Sequence, residues 1–372
     1  MSHRLQIRMF AHSWISDWNH GNAHFLRGLA RELMKQGHRV RCYEELGSWS
    51  LSSLVRTEGE TAIEAIDRFR HTFPELDIQF YRRGSDLRYV LKEELCGSDV
   101  VLIHEWNAPE VVNAILELKQ QLGFRALFHD THHRAYTSPR DILRFNLHLF
   151  DGVLAFGEAV RCIYANGFGV PRSWVFHEAA DISSFHPMDR PRSIDILWIG
   201  NWGDDERSQE LAEYLLGPAT RLKHRKAVVH GVRYPEYALE KLAEAGIEFR
   251  GYLPNLCAPE RYAESGISIH IPRRQYANGL SGIPTIRMFE ALACGAPLVC
   301  SPWSDDEKLF RPGEDYLSAA DGREMQDVIE CLLNDDAARR QMAERGRQTI
   351  LQRHTCAHRA QQLTEICEEL GR

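Results

Sequence analysis

Short apolar segments alternate with amphipathic segments along nearly the whole chain, and this alternation constrains the fold more than any other feature. The apolar segment 6–11 is followed by 22–36, in which Phe25, Leu29 and Leu33 recur on one helical face. A glycine then ends the helical pattern and another apolar segment follows. Strands that alternate with helices in this way form βαβ units around a mostly parallel sheet. The sequence therefore predicts an α/β protein built from doubly wound sheets.

The alternation stops once, near residue 185, and then restarts. Residues 185–193 carry two prolines and several charges, which is typical of a linker. At 372 residues the chain is too long for one typical core. We therefore predict two Rossmann-like domains at 1–186 and 187–350, and a terminal helical segment at 351–372.

The predicted elements follow from the period of the apolar residues. Strands are expected at 6–11, 39–43, 78–81, 100–104, 125–129, 153–156, 194–199, 227–230, 247–250, 267–271 and 297–300. Helices are expected at 22–36, 61–72, 86–95, 109–121, 138–150, 206–216, 236–245, 259–264 and 284–294, and throughout the tail from residue 320.

The composition is that of a globular protein and argues against several classes of function. A hydrophobic content of 44% with 26% charged residues is ordinary for such proteins, and a net charge of −7 does not suggest nucleic-acid binding. The nine cysteines are scattered, odd in number and contain no CxxC pair, which favours reduced thiols and a cytoplasmic location. No apolar run suggests a signal peptide or a transmembrane segment, although peripheral membrane contact stays open.

One segment, 281–297, indicates function more directly than the rest. A buried strand at 267–271 leads into a loop with Gly279 and Gly282, and a helix is expected to start near Pro284, because the fixed φ of proline suits a first helical position. Gly295 is expected to end that helix in a left-handed conformation. Unpaired N–H groups and the helix dipole make such a helix start suitable for a phosphate, and the carboxylate of Glu290 could accept hydrogen bonds from a ribose or sugar diol.

The residues 290–297, EALACGAP, resemble the donor-site motif of GT-B glycosyltransferases of the glycosyltransferase-4, or group 1, type. Closer still, they look like the bacterial branch described as CgeB-like or spore-maturation proteins. Segments 178–181, 199–202 and 251–254 resemble further parts of such enzymes in the same order along the chain. The broad family has a second glutamate eight positions before Glu290, where this chain has Gly282, so the sequence leaves retention and inversion both open.

The resemblance implies a GT-B architecture in which two Rossmann-like domains face a cleft and the C-terminal helix crosses back to the first domain. The first domain would bind the acceptor and the second the nucleotide-sugar donor, without a metal ion or another cofactor. The expected donor-binding residues lie at strand ends of the second domain and in the glycine loop: Asn201, Arg207, His230, Tyr252, Leu253, Arg273, Ser281, Gly282, Ile283, Pro284, Thr285 and Glu290.

The two arginines of this set are the expected partners of the diphosphate. Arg207 resembles the basic residue that follows the first glycine turn in the family, and Arg273 follows the apolar strand 267–271. A guanidinium can bind two phosphate oxygens at once. The alternative for each is an ordinary surface charge. Tyr252 and Leu253 resemble the turn that meets the nucleotide base, and they could equally be structural.

Polar residues also follow the strands of the first domain. The acceptor or cleft residues that we expect are Trp18, Asn19, His20, Gly21, His104 and Glu105. Asn22, next to them, is expected to cap the following helix. Asp130 and His132 are the candidate catalytic residues, because either could take a proton from an acceptor hydroxyl, and Asp130 could instead orient a histidine.

Metal sites are the weaker alternative at three places. His129, His132 and His133 could bind zinc only if strand and loop residues converge, or they could serve interdomain hydrogen bonding. The acidic runs 204–206 and 305–307 are better explained as polar entries to helices, whose N-termini favour negative charge. We therefore expect no metal.

The predicted function is transfer of a sugar from a nucleotide-sugar donor to an unidentified acceptor. Two alternatives stay open: a GT-B nucleotide-sugar epimerase or hydrolase that needs no separate acceptor, and a non-catalytic nucleotide-sugar binding protein. A dehydrogenase is disfavoured because no GxGxxG follows the first strand. Replacement of Glu290 by alanine is expected to weaken nucleotide binding and to leave folding intact.

Overall fold

The computed structural model describes residues 4–371, and of Asp204 only the backbone. The chain folds into two compact units, Met1–Glu178 with Cys356–Arg372, and Ala179–Thr355. Each unit contains one parallel sheet with helices.

The first unit contains seven strands. They are β1 Gln6–Phe10, β2 Arg39–Glu45, β3 Ile78–Tyr81, β4 Val100–His104, β5 Arg125–Asp130, β6 Gly152–Ala155 and β7 Ser173–Val175. Eight helices of this part of the chain are α1 Ala23–Lys35, α2 Trp49–Glu58, α3 Glu60–Thr72, α4 Leu87–Leu95, α5 Pro109–Leu122, α6 Arg134–Thr137, α7 Pro139–Ile142 and α8 Glu158–Cys162. A π-helical turn, Ile163–Gly167, follows α8.

The strand order of the first sheet is β3-β2-β1-β4-β5-β6-β7, and every pairing is parallel. All residues of β4 and β6 are buried, as is usual for central strands of a parallel sheet that is covered on both faces. Pro109 starts α5 and Gly123, at φ +79°, ends it, so both ends follow local sequence rules.

The second unit repeats this plan. Its strands are β8 Ile194–Ile199, β9 Ala227–His230, β10 Ile247–Phe249, β11 Ser265–His270, β12 Leu298–Cys300 and β13 Leu317–Ser318. Its helices are α9 Ser208–Leu211, α10 Gly217–Arg221, α11 Glu236–Glu244, α12 Ala258–Glu264, α13 Arg274–Asn278, α14 Ile286–Ala293, α15 Gly322–Asn334 and α16 Asp336–Arg353.

The second sheet has the order β10-β9-β8-β11-β12-β13, again with parallel pairs only. Its core combines Ile196, Val229 and Ile267 of the sheet with Leu211 and Ile329 of the helices. Strands β8, β9 and β10 extend the sheet in one direction, and β11, β12 and β13 extend it in the other. The strand order therefore reverses between the neighbours β8 and β11. In sheets of this type, ligands bind outside the carboxyl ends of the strands at that point.

The last helix, α17 Cys356–Gly371, belongs to the first unit although it follows the second unit in sequence. It packs on α1, and its buried side includes Leu363, Ile366 and Leu370. The side-chain amide of Gln362 also donates through Nε2 to the carbonyl of Val175, at 2.7 Å. This is the return of the C-terminal helix to the first domain that the sequence led us to expect. Among the described residues, none of the helices is long and apolar enough to cross a membrane.

Several element predictions were wrong in detail. The helix predicted at 138–150 is α7 followed by two 3₁₀ turns, Leu143–Phe145 and Leu147–Leu149, because Asn146 lies in the left-handed region at φ +47°. The helix predicted at 206–216 is interrupted at Arg207 and continues as α9 and a π-helical turn, Ala212–Leu216. Short elements such as α2, α8 and β7 were not predicted at all.

The polar run 305–307 was also misinterpreted, since no helix begins there. The carboxylate of Asp305 instead accepts hydrogen bonds from the backbone N–H groups of Leu309 and Phe310, at 2.9 and 2.7 Å, within a turn. A carboxylate can bind consecutive amides in a turn as well as at a helix start, so the sequence pattern is ambiguous.

Candidate functional site

Arg207 lies next to the carboxyl ends of β8 and β11 in the second unit and is buried, with 8% of its surface exposed. Its Nη1 donates to the carbonyl of Ile271 at 3.2 Å, and its Nη2 donates to the carbonyl and the side-chain oxygen of Asn201. Among the described residues, the hydrogen-bond acceptors of Arg207 are neutral oxygens. A buried cation with only neutral acceptors is an incompletely compensated charge.

Further arginines surround Arg207. Burial first, and then the charge of Arg273, lower the pKa of Arg207 to about 9, and Arg287 acts in the same direction. The guanidinium remains charged at neutral pH. Arg273 pairs with Glu206 at 3.2 Å and Arg287 with Glu290. These cations together create a positive potential, which a bound anion would neutralise.

The N-terminus of α14 lies in the same unit and follows β11 in sequence, after α13 and the glycine loop. Thr285 precedes the first helical residue, and its hydroxyl contacts Nε2 of His270 at 2.9 Å. Burial, and secondarily Arg207, lower the pKa of His270 to about 3, so this ring is neutral. His270 was not among the expected site residues, although it is the last residue of β11 and the strand-end rule would have included it. The prediction that α14 starts at Pro284 was two residues early.

The loop 281–284 is held by the segment 303–306. The N–H of Gly282 donates to the carbonyl of Ser304 at 2.9 Å, and the indole N–H of Trp303 donates to the carbonyl of Ile283 at the same distance. Ser281 hydrogen-bonds to Asp306, which lowers the pKa of that carboxyl. The loop itself uses the amide of Gly282, and phosphate binding by the amides of residues 282–285 stays a prediction.

Glu290 is completely buried within α14. Its Oε1 accepts from Nδ2 of Asn255 at 3.0 Å, and its Oε2 accepts from the hydroxyl of Tyr262 at 3.3 Å and from Arg287. The carboxylate thus ties α14 to α12 and to the turn before it. Contact with a ribose stays a prediction, whereas this burial argues against the expectation that loss of Glu290 would spare folding.

The other donor-side residues lie at the remaining strand ends. His230 ends β9, and burial, followed by Arg250, lowers its pKa to about 4, which keeps its ring neutral. Tyr252 and Leu253 are half-buried in the turn after β10, which begins at Gly251 with φ +69°. The N–H of Gly231 donates to the carbonyl of Gly251 at 2.9 Å, so these two strand ends are joined.

In the first unit, Glu105 and Asp130 form a buried acidic pair at the ends of β4 and β5. Burial, and then the neighbouring Asp130, raise the pKa of Glu105 well above its usual range, and burial also raises the pKa of Asp130. Arg134 pairs with Glu105 at 2.8 Å, and the hydroxyl of Tyr164 donates to Asp130 at 2.6 Å. Asp130 also accepts the backbone N–H of His132 at 2.9 Å.

The burial of Asp130 argues against a direct role as the acceptor base, although the catalytic assignment itself stays a prediction. A general base must reach the proton that it removes, and Asp130 is completely buried behind Tyr164. Asp130 accepts from the backbone N–H of His132, which is not a contact with its ring, so a role in orienting a histidine stays a prediction.

Three histidine rings lie together at the ends of the first-unit strands. The ring centroids of His12 and His20 are 4.0 Å apart, and that of His104 lies 6.0 Å from His12. Nε2 of His104 contacts the hydroxyl of Thr131 at 3.0 Å. Among residues 4–371, neither ring nitrogen of buried His20 has a hydrogen-bond partner, nor has Nδ1 of His12. Buried polar groups of this kind usually indicate water or a ligand.

His12 was missed in the sequence although it follows β1 closely, as expected for a site residue in such a sheet. Burial, and then Arg134, lower its pKa to about 4, so the ring is neutral and can accept a proton. The exposed ring of Trp106 lies near it, with centroids 6.4 Å apart, and contacts His132 at 5.1 Å.

The loop 16–22 is more tightly packed than its composition suggests. Trp18 is buried, meets Trp49 edge-on at 5.3 Å, and donates its indole N–H to Glu58 at 3.3 Å. Asn19 has a positive φ of 51°, and Gly21 follows the inward-facing His20. Asn22 does not cap α1 with its side chain, and its Nδ2 donates to the hydroxyl of Thr131 at 2.5 Å.

The three histidines considered for zinc do not share one surrounding. The rings of His132 and His133 are in tilted contact, with centroids 4.0 Å apart, whereas the ring of His129 packs edge-on against Phe25 and Phe176. In the described part of the chain, no group of three or more histidine, cysteine or acidic residues is arranged to hold a metal ion.

Comparison with known proteins adds a family match and a fold. A family model described as glycosyl transferase-like matches residues 207–365. No curated protein matches the sequence.

Solved structures match the whole chain. HepE from Anabaena, in complex with UDP and glucose, is 13% identical with a TM-score of 0.70, and the match covers 98% of this chain and 100% of HepE. The sucrose-phosphate synthase of Thermosynechococcus elongatus is 14% identical with a TM-score of 0.66, with 99% of both chains covered. An alpha-glucosyltransferase in complex with UDP and DNA is 12% identical with a TM-score of 0.68, with 98% and 100% covered. The fold of this chain is therefore GT-B, with two parallel Rossmann-like sheets.

Proposed function

We propose that this protein is a glycosyltransferase that moves a sugar from a nucleotide-sugar donor to a hydroxyl group of an acceptor. Support comes from the glycosyl transferase-like match over 207–365 and from GT-B neighbours in complex with UDP or UDP-glucose. The observation that carries the proposal is the buried, incompletely compensated Arg207 beside Arg273, in the unit that contains the N-terminus of α14.

In the proposed reaction, the acceptor oxygen forms a bond with the anomeric carbon while the bond from that carbon to the diphosphate breaks. Negative charge then develops on the leaving diphosphate. Arg207 and Arg273 would stabilise this charge, which is the role that a metal ion has in other transferases, so we propose that no metal is needed. His132, or the neutral ring of His12, would accept the acceptor proton if the reaction inverts.

The finer assignments are also proposals. Hexosyl transfer is supported by the glucose-containing neighbours. Membership of the CgeB-like branch rests on the motif 290–297. A cytoplasmic location is supported by the nine free cysteines.

A thermal-shift screen with nucleoside diphosphates and nucleotide sugars tests the donor site, because a ligand that binds only the folded protein raises its unfolding midpoint. The expected result is stabilisation by one nucleotide and its sugar conjugates. Stabilisation by none of them would contradict the proposal.

Arg273→Gln is the first variant to measure. It removes one guanidinium from the diphosphate site, so we expect the Kd for the stabilising nucleotide to rise about 10- to 100-fold. Arg274→Gln is the matched control, because its side chain pairs with Glu210 at 2.8 Å instead. If both variants raise the Kd equally, the loss of affinity reflects the change in overall charge. That result would contradict a specific phosphate contact of Arg273.

Product analysis separates the alternatives. A transferase consumes the nucleotide sugar only together with an acceptor, whereas an epimerase or hydrolase changes the donor alone. A non-catalytic binding protein would bind the donor and turn over nothing when a panel of glycan and small-molecule acceptors is added.

A further inference from the structure

Trp106, in the turn between β4 and α5 of the first unit, keeps 42% of its surface exposed although the turn around it is firmly held. The backbone N–H of Asn107 donates to the carbonyl of His104 at 3.1 Å. The side-chain amide of Asn107 donates to the carbonyls of His104 and Phe10, at 2.7 and 2.9 Å. The turn therefore fixes the position of an indole ring that still presents apolar surface to solvent.

Arg134 covers one face of this indole. Its guanidinium carbon lies 3.9 Å from the centroid of the Trp106 ring, a cation–π contact. The same guanidinium binds the carboxylate of buried Glu105 at 2.8 Å and the carbonyl of Glu105 at 2.7 Å. Because Glu105 compensates its charge, Arg134 supports the ring and does not offer this surface an unpaired cation for a phosphate or a carboxylate.

Two neutral histidines lie beside the indole. The ring of His12 is 6.4 Å from that of Trp106, with 60° between the planes, and the ring of His20 is 4.0 Å from that of His12. In residues 4–371, Nδ1 of His12 and both ring nitrogens of His20, which is 3% exposed, have no hydrogen-bond partner. Burial lowers the pKa of both rings, so each is an uncharged group with one donor and one acceptor nitrogen.

A flat apolar surface next to uncharged polar groups fits a ligand with one apolar face and hydroxyl groups at its rim, as in a pyranose ring. The C–H groups of such a face carry a small positive charge and meet the negative face of an indole. Carbon atoms in contact lie about 3.5–4.0 Å apart, which places the rim of a ring stacked on Trp106 beside His12. Its hydroxyls both donate and accept, as a neutral imidazole does.

We propose that the acceptor is a neutral pyranose, free or at the end of a glycan, whose apolar face stacks on the indole of Trp106 with a hydroxyl directed to His12. This inference rests on the proposed function and names the substrate class of its acceptor. The bonds formed and broken are those given above, so the product is a glycosidic bond between two sugars.

Fluorine NMR of the full chain labelled with fluorotryptophan tests the contact directly. The protein has eight tryptophans, and Trp106→Phe identifies the resonance of Trp106 by its loss. The probes are the methyl glycosides of glucose, galactose, mannose and N-acetylglucosamine, with glucuronate and phenol for comparison, each with and without the nucleotide that stabilises the protein. We expect at least one neutral glycoside to shift the resonance of Trp106 in a saturable way.

Affinities of variants test the energetic role of the ring. Saturation-transfer NMR of the bound glycoside gives its Kd. Trp106→Ala is expected to raise this Kd about tenfold and Trp106→Phe about threefold, because a benzene ring offers a smaller face. Tyr89→Ala, which removes an aromatic ring that is 70% exposed on α4, is the control and should leave the Kd unchanged. The Kd for the nucleotide should stay within about twofold in all three variants.

The outcomes separate this inference from the proposed function. No shift of the Trp106 resonance with any neutral glycoside, or a shift at lower concentrations of phenol or glucuronate, overturns the pyranose acceptor while nucleotide binding keeps the proposed function. Equal losses in Trp106→Ala and Tyr89→Ala overturn it as well. If the wild-type protein binds no nucleotide, the proposed function falls, and with it the acceptor role of any sugar bound at Trp106.

Discussion

Two charged residues of the second unit, Arg207 and Glu290, are buried and have very different partners. Arg207 has neutral hydrogen-bond acceptors and further arginines nearby, whereas Glu290 accepts from Asn255, Tyr262 and Arg287. The first is an incompletely compensated charge, which a bound anion would neutralise. The second is a compensated charge whose removal leaves its partners without acceptors.

Glu290→Ala is therefore expected to destabilise the protein. The buried amide of Asn255 and the hydroxyl of Tyr262 lose their acceptor, at a cost of about 1–3 kcal/mol each, so the free energy of unfolding should fall by about 2–4 kcal/mol. Chemical denaturation measures this, with the exposed Glu244→Ala as control, for which less than about 0.5 kcal/mol is expected. An unchanged unfolding free energy with lost nucleotide binding would restore the simpler view of Glu290 as a ligand contact alone.

At the scale of elements, the site depends on loops that follow parallel strands and on what holds them. The loop before α14 is held by the segment after β12 through Gly282, Ile283 and Ser281. These contacts position the helix start against β11, where His270 meets Thr285. The end of β11 sets the position of the helix start, and the segment after β12 holds the loop before that helix in place.

Trp303→Phe tests this role of the loop contacts. It removes the indole hydrogen bond to the carbonyl of Ile283 and part of the buried ring volume, so the expected loss of stability is about 2–3 kcal/mol. Hydrogen exchange in residues 281–285 should become faster, and nucleotide affinity should fall. Trp49→Phe, at a residue with 54% of its surface exposed, should change neither quantity. Unaltered exchange in the loop of Trp303→Phe would contradict the proposed rigidity.

At the scale of the whole molecule, both sheets carry neutral histidines at their buried strand ends. Burial lowers the pKa of His129 and His270 to about 3 and that of His230 to about 4. The folded protein thus excludes protons that the unfolded chain binds below about pH 6.5. The buried pair Glu105 and Asp130 acts in the opposite direction, because burial raises their pKa values and the folded state retains protons that the unfolded chain releases.

We expect the histidines to outweigh the acidic pair, so that the free energy of unfolding falls as the pH is lowered. Above pH 6.5 these histidines are neutral in both states and contribute no pH dependence; between pH 6.5 and about 4, each lowers the free energy of unfolding by up to about 1.4 kcal/mol per pH unit. The thermal midpoint should therefore fall on acidification in this range. His270→Gln, which keeps a polar side chain opposite Thr285, should flatten the slope. A midpoint that rises as the pH falls from 6.5 would mean that the acidic pair dominates.

The sequence predicted the plan of the fold well and the site only in part. Strands such as β4 and β8 were predicted with correct bounds, because continuous apolar runs mark buried parallel strands. Arg207 and Arg273 were found from resemblance and strand position. His12 and His270 were missed, although His12 closely follows β1 and His270 ends β11. The run 305–307 was misinterpreted, because a carboxylate can bind consecutive amides in a turn as well as at a helix start.

Local patterns alone determined that this chain forms two parallel α/β units, because strand and helix periods, end-capping glycines and prolines act over a few residues. The tertiary structure decided the chemical state of the side chains. It buried Asp130 behind Tyr164 and used the carboxylate of Glu290 to join helices. Burial and charge pairing depend on residues that are distant in sequence, so accessibility and pKa could be known only after the chain had folded.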